Sequence, residues 1–257
     1  MARYLLRLGS LGYLAVLLLA PLGFVFYRAF EHGLGPAWDA VTTPIALHAL
    51  KLTLILAAIA VPANAVFGVV CALAIVRHRF PGAGVVNAVV DLPLALSPIV
   101  VGLSLLILYG SGGWLGGHGI VFALPAMALA TIFVSLPFVV REVVPVLREI
   151  GTEQEQAAAT LGASAWQTFR RVTWPAIRWA TAYGVVLTTA RALGEFGAVS
   201  VVSGRIVGQT ETLTLYVQER YAQFDVVAAY SGAVVLALIA VAVLLAMNAF
   251  KPKEEIR

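Results

Sequence analysis

The chain has 257 residues, of which 61% are hydrophobic and only 12% charged, with a mean hydropathy of +0.93. A soluble domain carries about 25% charged residues, and 17 Lys and Arg with 13 Asp and Glu cannot clothe a water-facing surface of this size, so lipid must cover much of it. The formal net charge of +4 and pI near 9.4 come with no basic cluster interleaved with aromatics, which excludes nucleic acid as the expected partner and leaves membrane topology as the source of the bias.

A helix needs about 20 mainly apolar residues to cross the hydrocarbon, where every backbone amide must be bonded internally. Six segments reach that length. The first, Leu8 to Tyr27, follows Arg3 and Arg7 in the manner of a secretory signal. Its apolar run exceeds the usual signal core and no small-x-small site follows closely, so it is expected to stay as an uncleaved span. The second, Leu52 to Val76, holds Cys71, the lone cysteine, so no intramolecular disulfide and no cysteine-built metal site is expected. The third runs from about Leu92 to Tyr109 and the fourth from Ile120 to Val140, with the glycine-rich stretch Gly110 to Gly119 as a turn between them. All four spans are uncharged. Pro62, Pro93, Pro98, Pro125 and Pro137 fall in them and predict kinked helices, serving either gating or packing alone.

The connection after the fourth span, Arg141 to Arg178, is patterned rather than irregular. Thr152-Glu153-Gln154-Glu155 fits a capping box, so a helix is expected to follow through Ala157, Ala158, Ala159 and Leu161 and to end on Gly162 in a left-handed conformation. Ser164-Ala165-Trp166-Gln167 repeats the box. The second helix is expected to carry Trp166, Phe169 and Val172 on one face and to stop before Pro175. Each helix is shorter than the roughly 12 to 15 residues an isolated helix needs in water, so packing must hold them. The partner is either another protein or the chain's own bundle and the membrane surface.

The fifth span, Trp179 to Ser203, differs from the others in containing Arg191 and Glu195. Four residues apart on a helix, they share one face and can pair. A charge at mid-bilayer costs about 2.5 to 3.5 kcal/mol even on lenient scales, so both should face the bundle interior or a watery path. One reading makes them a pathway site, in which Arg191 attracts a tetrahedral anion, Glu195 prevents tight capture, Gly194 and Gly197 allow close helix approach, and Ser200 and Ser203 line the same route. The other makes them a structural ion pair. The sixth span, Val226 to Phe250, is uncharged.

With the N-terminus inside, twelve of the 17 basic residues fall on the cytoplasmic side: Arg3, Arg7, Arg77, Arg79, Arg141, Arg148, Arg170, Arg171, Arg178, Lys251, Lys253 and Arg257. Arg28, Lys51, Arg205 and Arg220 fall opposite. The positive-inside rule therefore places both termini and the 141–178 connection in the cytoplasm. His32, His48, His78 and His118 are scattered, none with a partner at metal-ligand spacing, so no metal site is expected. No linker divides the chain, which is expected to be a single transmembrane domain over 1–257.

Gln156-Ala157-Ala158-Ala159-Thr160-Leu161-Gly162-Ala163, followed by Phe169 and Pro175, resembles the cytoplasmic EAA loop of binding-protein-dependent permeases of ATP-binding-cassette importers. The resemblance covers about Leu47 to Phe250. It implies an all-α polytopic bundle of six transmembrane helices with the type I importer, MetI-like fold, in a bacterial cytoplasmic (inner) membrane. It implies also that Glu155, Gln156, Ala157, Ala158, Gly162, Ala163, Trp166, Phe169 and Pro175 form the loop seated in a cleft of the ATPase. Gln156 departs from the family pattern, which has glutamate there. A second stretch, Arg191-Ala192-Leu193-Gly194-Glu195-Phe196-Gly197-Ala198-Val199-Ser200-Val201-Val202-Ser203-Gly204, resembles sulfate and molybdate permeases. With Gly208, Thr210, Thr212 and Leu213 after it, it is most similar to W-type subunits of sulfate permeases.

The resemblance thus implies a non-enzymatic permease subunit importing sulfate or thiosulfate by alternating access, with molybdate or tungstate as the alternative cargo. Its implied partners are two ATPase subunits, a second permease of the T type, an extracytoplasmic sulfate-binding protein and lipid. The sequence contains no Gly-x-x-x-x-Gly-Lys-Ser/Thr phosphate loop, so ATP and magnesium are expected on the ATPase and no cofactor on this chain. An ion-coupled secondary transporter would need no docking loop and usually shows inverted repeats, which are not evident here. An intramembrane hydrolase would need a nucleophile with a histidine or aspartate partner in the spans.

Overall fold

The computed structural model describes the backbone of residues 2–78, 80–116 and 119–250, and the side chains of 7–78, 80–116 and 119–246. Arg79, His118, Lys251, Lys253 and Arg257 lie outside the described residues, as does the side chain of Arg3. In chain order the helices are α1 (Ala2–Phe30), α2 (Leu34–Thr42), α3 (Pro44–Arg77), α4 (Ala83–Ala95), α5 (Pro98–Tyr109), α6 (Leu124–Ser135), α7 (Pro137–Glu149), α8 (Glu153–Thr160) and α9 (Ala165–Thr168). A π-helical turn (Phe169–Thr173) leads to α10 (Trp174–Leu193), then α11 (Gly197–Val202), α12 (Leu213–Ala222) and α13 (Val226–Phe250). No strand occurs among the described residues.

Four of the expected spans are continuous apolar runs long enough to cross a bilayer: Arg7–Phe30, Pro44–Arg77, Leu124–Glu149 and Val226–Ala246. The third is not one helix. It comprises α4 and α5, bent by 110° to one another, because Pro98 opens α5 and forces Ser97 into extended backbone at ψ 134°. The fourth begins later and ends later than expected, running past Arg141 to Glu149. There Val139, Val140, Val143, Val144 and Leu147 turn inward, so the charged residues of α7 occupy its other face. The fifth breaks too, since α10 stops at Leu193 and α11 starts afresh at Gly197 after a non-helical Phe196 (φ −129°, ψ −51°). Of the five prolines expected to kink spans, Pro62 and Pro93 lie inside helices, whereas Pro98, Pro125 and Pro137 stand in the first turns of α5, α6 and α7. A missing N–H is harmless in a first turn, because that donor has no intrahelical partner.

The chain forms two compact units, to which α3 and α13 each contribute in part. The first gathers Val207–Ile239 with the chain up to Leu52. Its core is Ala46, Ala49, Leu213, Tyr216 and Ala228, alanines whose small side chains let α3, α12 and α13 approach closely around one aromatic. The Tyr216 hydroxyl donates to the Ala40 carbonyl (3.3 Å), and Phe24 meets Tyr230 edge to face with centroids 6.4 Å apart.

The second unit gathers Thr53–Ile206 with the chain from Ala240. Its core runs through Val69, Ala72, Val90, Val139, Val143, Leu147 and Ile177. Val139 is wedged between two glycines: a Cβ on Gly68 of α3 would stand 2.5 Å from Val139 Cβ, and one on Gly184 of α10 would stand 2.7 Å from Val139 Cα. Side chains at those positions would force the three helices apart. Polar groups complete the packing. Asn64 of α3 donates to Ile132 O (3.0 Å) and Ser135 Oγ (2.8 Å) of α6, and Arg141 of α7 clasps Asp91 of α4 through both carboxylate oxygens. In hydrocarbon such bonds are the main way to satisfy polar atoms as buried as those of Asn64 and Ser135, whereas the Arg141–Asp91 pair is partly exposed.

Candidate functional site

The connection between α7 and α10 folds as a helical hairpin. The capping box expected at Thr152 does not form: its hydroxyl makes no cap bond and instead accepts from Gln156 Nε2 (3.0 Å). Glu155, the expected reciprocal partner, turns away from the backbone of its own helix. Its Oε2 pairs with Arg77 Nε at 2.9 Å, and its Oε1 accepts from Thr173 Oγ1 at 2.8 Å. In this arrangement both oxygens of the carboxylate have partners, one of them an enclosed guanidinium.

α8 ends in a Schellman motif. Gly162 takes φ +82°, Ala163 N donates to Ala158 O (3.1 Å) and Gly162 N to Ala159 O (3.0 Å), satisfying carbonyls the helix end would leave orphaned. Ser164 then caps α9 with both halves of a capping box: Gln167 N donates to Ser164 Oγ (3.3 Å), and Ser164 N to Gln167 Oε1 (2.8 Å). The second helix does not stop before Pro175. Trp174 stays helical (φ −60°, ψ −47°), and its N–H reaches back five residues to Phe169 O. The π turn shifts the hydrogen-bond register so that Pro175 falls in the first turn of α10, where its lost donor goes unmissed.

The hairpin's surface is unusual. No α8 side chain is buried, Leu161 is 88% exposed and Trp166 67% exposed. Gln156 and Ala157 face outward, while Ala158 and Ala163 are half-covered. Trp166 stacks on Phe169 (centroids 5.6 Å), which leans on Trp174 (6.4 Å), and exposed Arg170 and Arg171 flank the aromatic ladder. A leucine and a tryptophan thus stand exposed beside the basic pair Arg170 and Arg171.

At the broken fifth span, Arg191 and Glu195 form a close ion pair (Nη1 to Oε2, 2.8 Å), Arg191 being 30% exposed and Glu195 only 2%. They are not on one helix. Glu195 lies in the break between α10 and α11, and its Oε1 accepts from Ala198 N (2.8 Å) in the first turn of α11. The carboxylate thus joins the C-terminal end of α10 to the N-terminal end of α11, where a negative charge suits the helix dipole. Gly197 permits the tight approach of α5, since a Cβ there would stand 2.8 Å from Pro98 Cβ; Gly194 instead terminates α10 with room to spare. Ser200 Oγ donates to Gly197 O (2.8 Å), and buried Ser203 accepts from Arg205 N (3.2 Å).

Sequence reasoning passed over three groups. Arg77, by sequence a topology marker alone, donates its Nη1 to Leu147 O at the end of α7 (2.9 Å) and pairs with Glu155. Asn64 is fully buried mid-span, and a polar residue in an apolar run was its available signal. Glu211, before α12 in the first unit, is buried beside Arg220, Glu219 and His48; desolvation pushes its carboxyl above the ordinary 4.5, with Arg220 pulling the other way. His48 Nε2 donates to the Gln209 carbonyl (3.1 Å).

Residues 64–255 match the family described as binding-protein-dependent transport system inner membrane component. The chain is 51% identical to the sulfate transport system permease protein CysW of Synechocystis over 248 residues, covering 94% of this chain and 90% of the relative. It is 49% identical to CysW of Escherichia coli over 233 residues, covering 88% and 80%. Against the sulfate transport system permease protein CysT of Escherichia coli it is 38% identical over 257 residues, covering 97% and 93%. A crystal structure of a bacterial ABC transporter involved in import of the acidic polysaccharide alginate superposes with a TM-score of 0.81 over 96% of this chain and 94% of the other, at 18% identity. That last likeness is one of fold.

Proposed function

This chain belongs to the family of inner membrane components of binding-protein-dependent transport systems, and on that premise we propose that it is a permease subunit of an ATP-driven sulfate importer. It is a multi-pass membrane transport component, not an enzyme. The observation that carries the cargo assignment is the identity of about half to sulfate permease subunits over most of the chain. The α8–α9 hairpin, with Leu161, Trp166 and Phe169 foremost, docks on an ATPase subunit that binds ATP and magnesium. Gln156 leaves that dock without the family's glutamate charge, so it rests on apolar contact and on the Gly162 turn. A T-type permease is the second membrane subunit, a sulfate-binding protein delivers the anion, and ATP-driven closure of two ATPases switches the spans between outward and inward access. Both termini and the hairpin lie in the cytoplasm.

The test is complementation with uptake. In a bacterium lacking its own W-type subunit, this chain should restore growth on sulfate and uptake of radiolabelled sulfate, and the ATPase and T-type subunits should co-purify with it. Restored molybdate uptake without sulfate uptake would overturn the cargo. Uptake by the chain alone in vesicles would overturn the importer reading altogether. Labelling of single cysteines placed at positions 32 and 154 from either side of the membrane should find the first outside and the second inside.

A further inference from the structure

The best-enclosed ion pair on the cytoplasmic hairpin points inward, to the chain's own spans. Arg77 is the last residue of α3, and its side chain is 11% exposed. Its Nε pairs with Glu155 Oε2 at 2.9 Å, its Nη1 donates to Leu147 O at 2.9 Å, and its Nη2 is buried with no hydrogen-bond partner. The other Glu155 oxygen accepts from Thr173 Oγ1 at 2.8 Å. One carboxylate and one guanidinium thus tie together the C-terminal ends of α3 and α7, the helix α8, and the π turn that feeds α10.

α8 buries no side chain, so apolar packing does not hold it to the spans and a push on it would otherwise be absorbed by a loose helix. We infer that Glu155 is a positioning residue that locks the docking hairpin to the membrane helices through Arg77 and Thr173, so that force applied to α8 moves α3, α7 and α10 together. This rests on the importer reading above and adds a role to it: Glu155 faces the chain's own bundle and leaves the ATPase contact to Leu161, Trp166 and their neighbours. Charge is essential to the lock, because a largely enclosed guanidinium that has lost its counter-charge keeps a single carbonyl partner.

The experiment uses the full importer, with its ATPase, second permease and binding protein, in proteoliposomes, reading sulfate moved per ATP hydrolysed. Glu155→Gln keeps the shape and can still accept from Thr173 but cannot neutralise Arg77. With the complex assembled at normal stoichiometry and ATP still hydrolysed, transport per ATP should fall about tenfold or more, the scale of one charge-assisted hydrogen bond. Arg77→Gln, which also gives up the guanidinium's bond to Leu147 O, should lower the ratio at least as far, and the double variant should be no worse than Arg77→Gln, in which the charge pair is already lost. Glu31→Gln, in an exposed pair with Arg28, should leave the ratio unchanged. An unchanged ratio in an assembled Glu155→Gln complex overturns the inference while the importer reading stands. If wild-type chain never binds the ATPase, the importer reading itself fails. Should Glu155→Gln not assemble, Thr173→Val decides: a reduced ratio in an assembled complex supports the lock, an unchanged one overturns it.

Discussion

Removing either member of the Arg191–Glu195 pair should not be equivalent, and the asymmetry can be worked from their surroundings. Glu195 is nearly fully enclosed, whereas almost a third of the Arg191 side chain is exposed. Arg191→Gln takes the counter-charge from an enclosed carboxylate, which also accepts from Ala198 N, and breaking a buried pair from that side costs about 3–5 kcal/mol. Glu195→Gln leaves an arginine that can turn toward the open side, and the amide oxygen still accepts from Ala198. The loss is then the charge assistance of one hydrogen bond, about 1–2 kcal/mol. At roughly 2–4 °C per kcal/mol for a chain of this size, the expected drops in thermal midpoint of the purified protein are about 6–20 °C and about 2–8 °C. The Arg191→Gln/Glu195→Gln double variant should fall by less than the sum, because the partners share one interaction. The measurement is loss of the monodisperse peak after heating in detergent. Additive losses, or Glu195→Gln as the more damaging change, would refute the reasoning. Sulfate uptake of Arg191→Lys separates the two roles: a variant that keeps stability but loses uptake puts Arg191 on the anion's route, and one that keeps both makes the pair structural.

Gly162→Val should weaken ATPase co-purification and sulfate uptake, with Gly162→Asn milder: φ is +82° with open space around the position, so the penalty is the backbone one, roughly 1–2 kcal/mol for an ordinary residue. Gly184→Ala should lower the thermal midpoint by about 2–12 °C, since its Cβ would stand 2.7 Å from Val139 Cα and overpacking costs about 1–3 kcal/mol. Glu211 has a folded-state carboxyl raised above 4.5, chiefly by desolvation. Its stabilising contribution is therefore complete below the unfolded value and lost as pH climbs through the folded one. Glu211→Gln should accordingly compare better with the parent at pH 7 than at pH 4.5; the opposite order, in thermal scans at the two pH values, would count against the burial argument.

Much of this molecule was legible in its residues because the relevant physics is local. Apolar run length marked the four continuous spans, since the hydrocarbon thickness sets it. The left-handed turn at Gly162 and the Ser164–Gln167 box involve atoms a few residues apart, so neighbours in sequence are enough to predict them. Tertiary structure decided the rest. Ser164 and Thr152 open similar motifs, yet only Ser164 caps: Ser164 is extended at ψ 160° where Thr152 has ψ −1°, and Glu155 finds in Arg77 a partner that its own sequence neighbourhood does not contain. Pro175 marks a helix stop by the local rule, but the π turn absorbs it. The fifth span looked like one helix with a charge pair on one face. In the fold it breaks, so that a single enclosed carboxylate can hold an arginine behind it and an amide ahead of it. The Arg191–Glu195 pair, four residues apart, is legible in the sequence and only the break beneath it is not; at Glu155 long-range electrostatics inside a low-dielectric bundle outweigh the local preference, and that its partner is Arg77 is known only once the helices are packed.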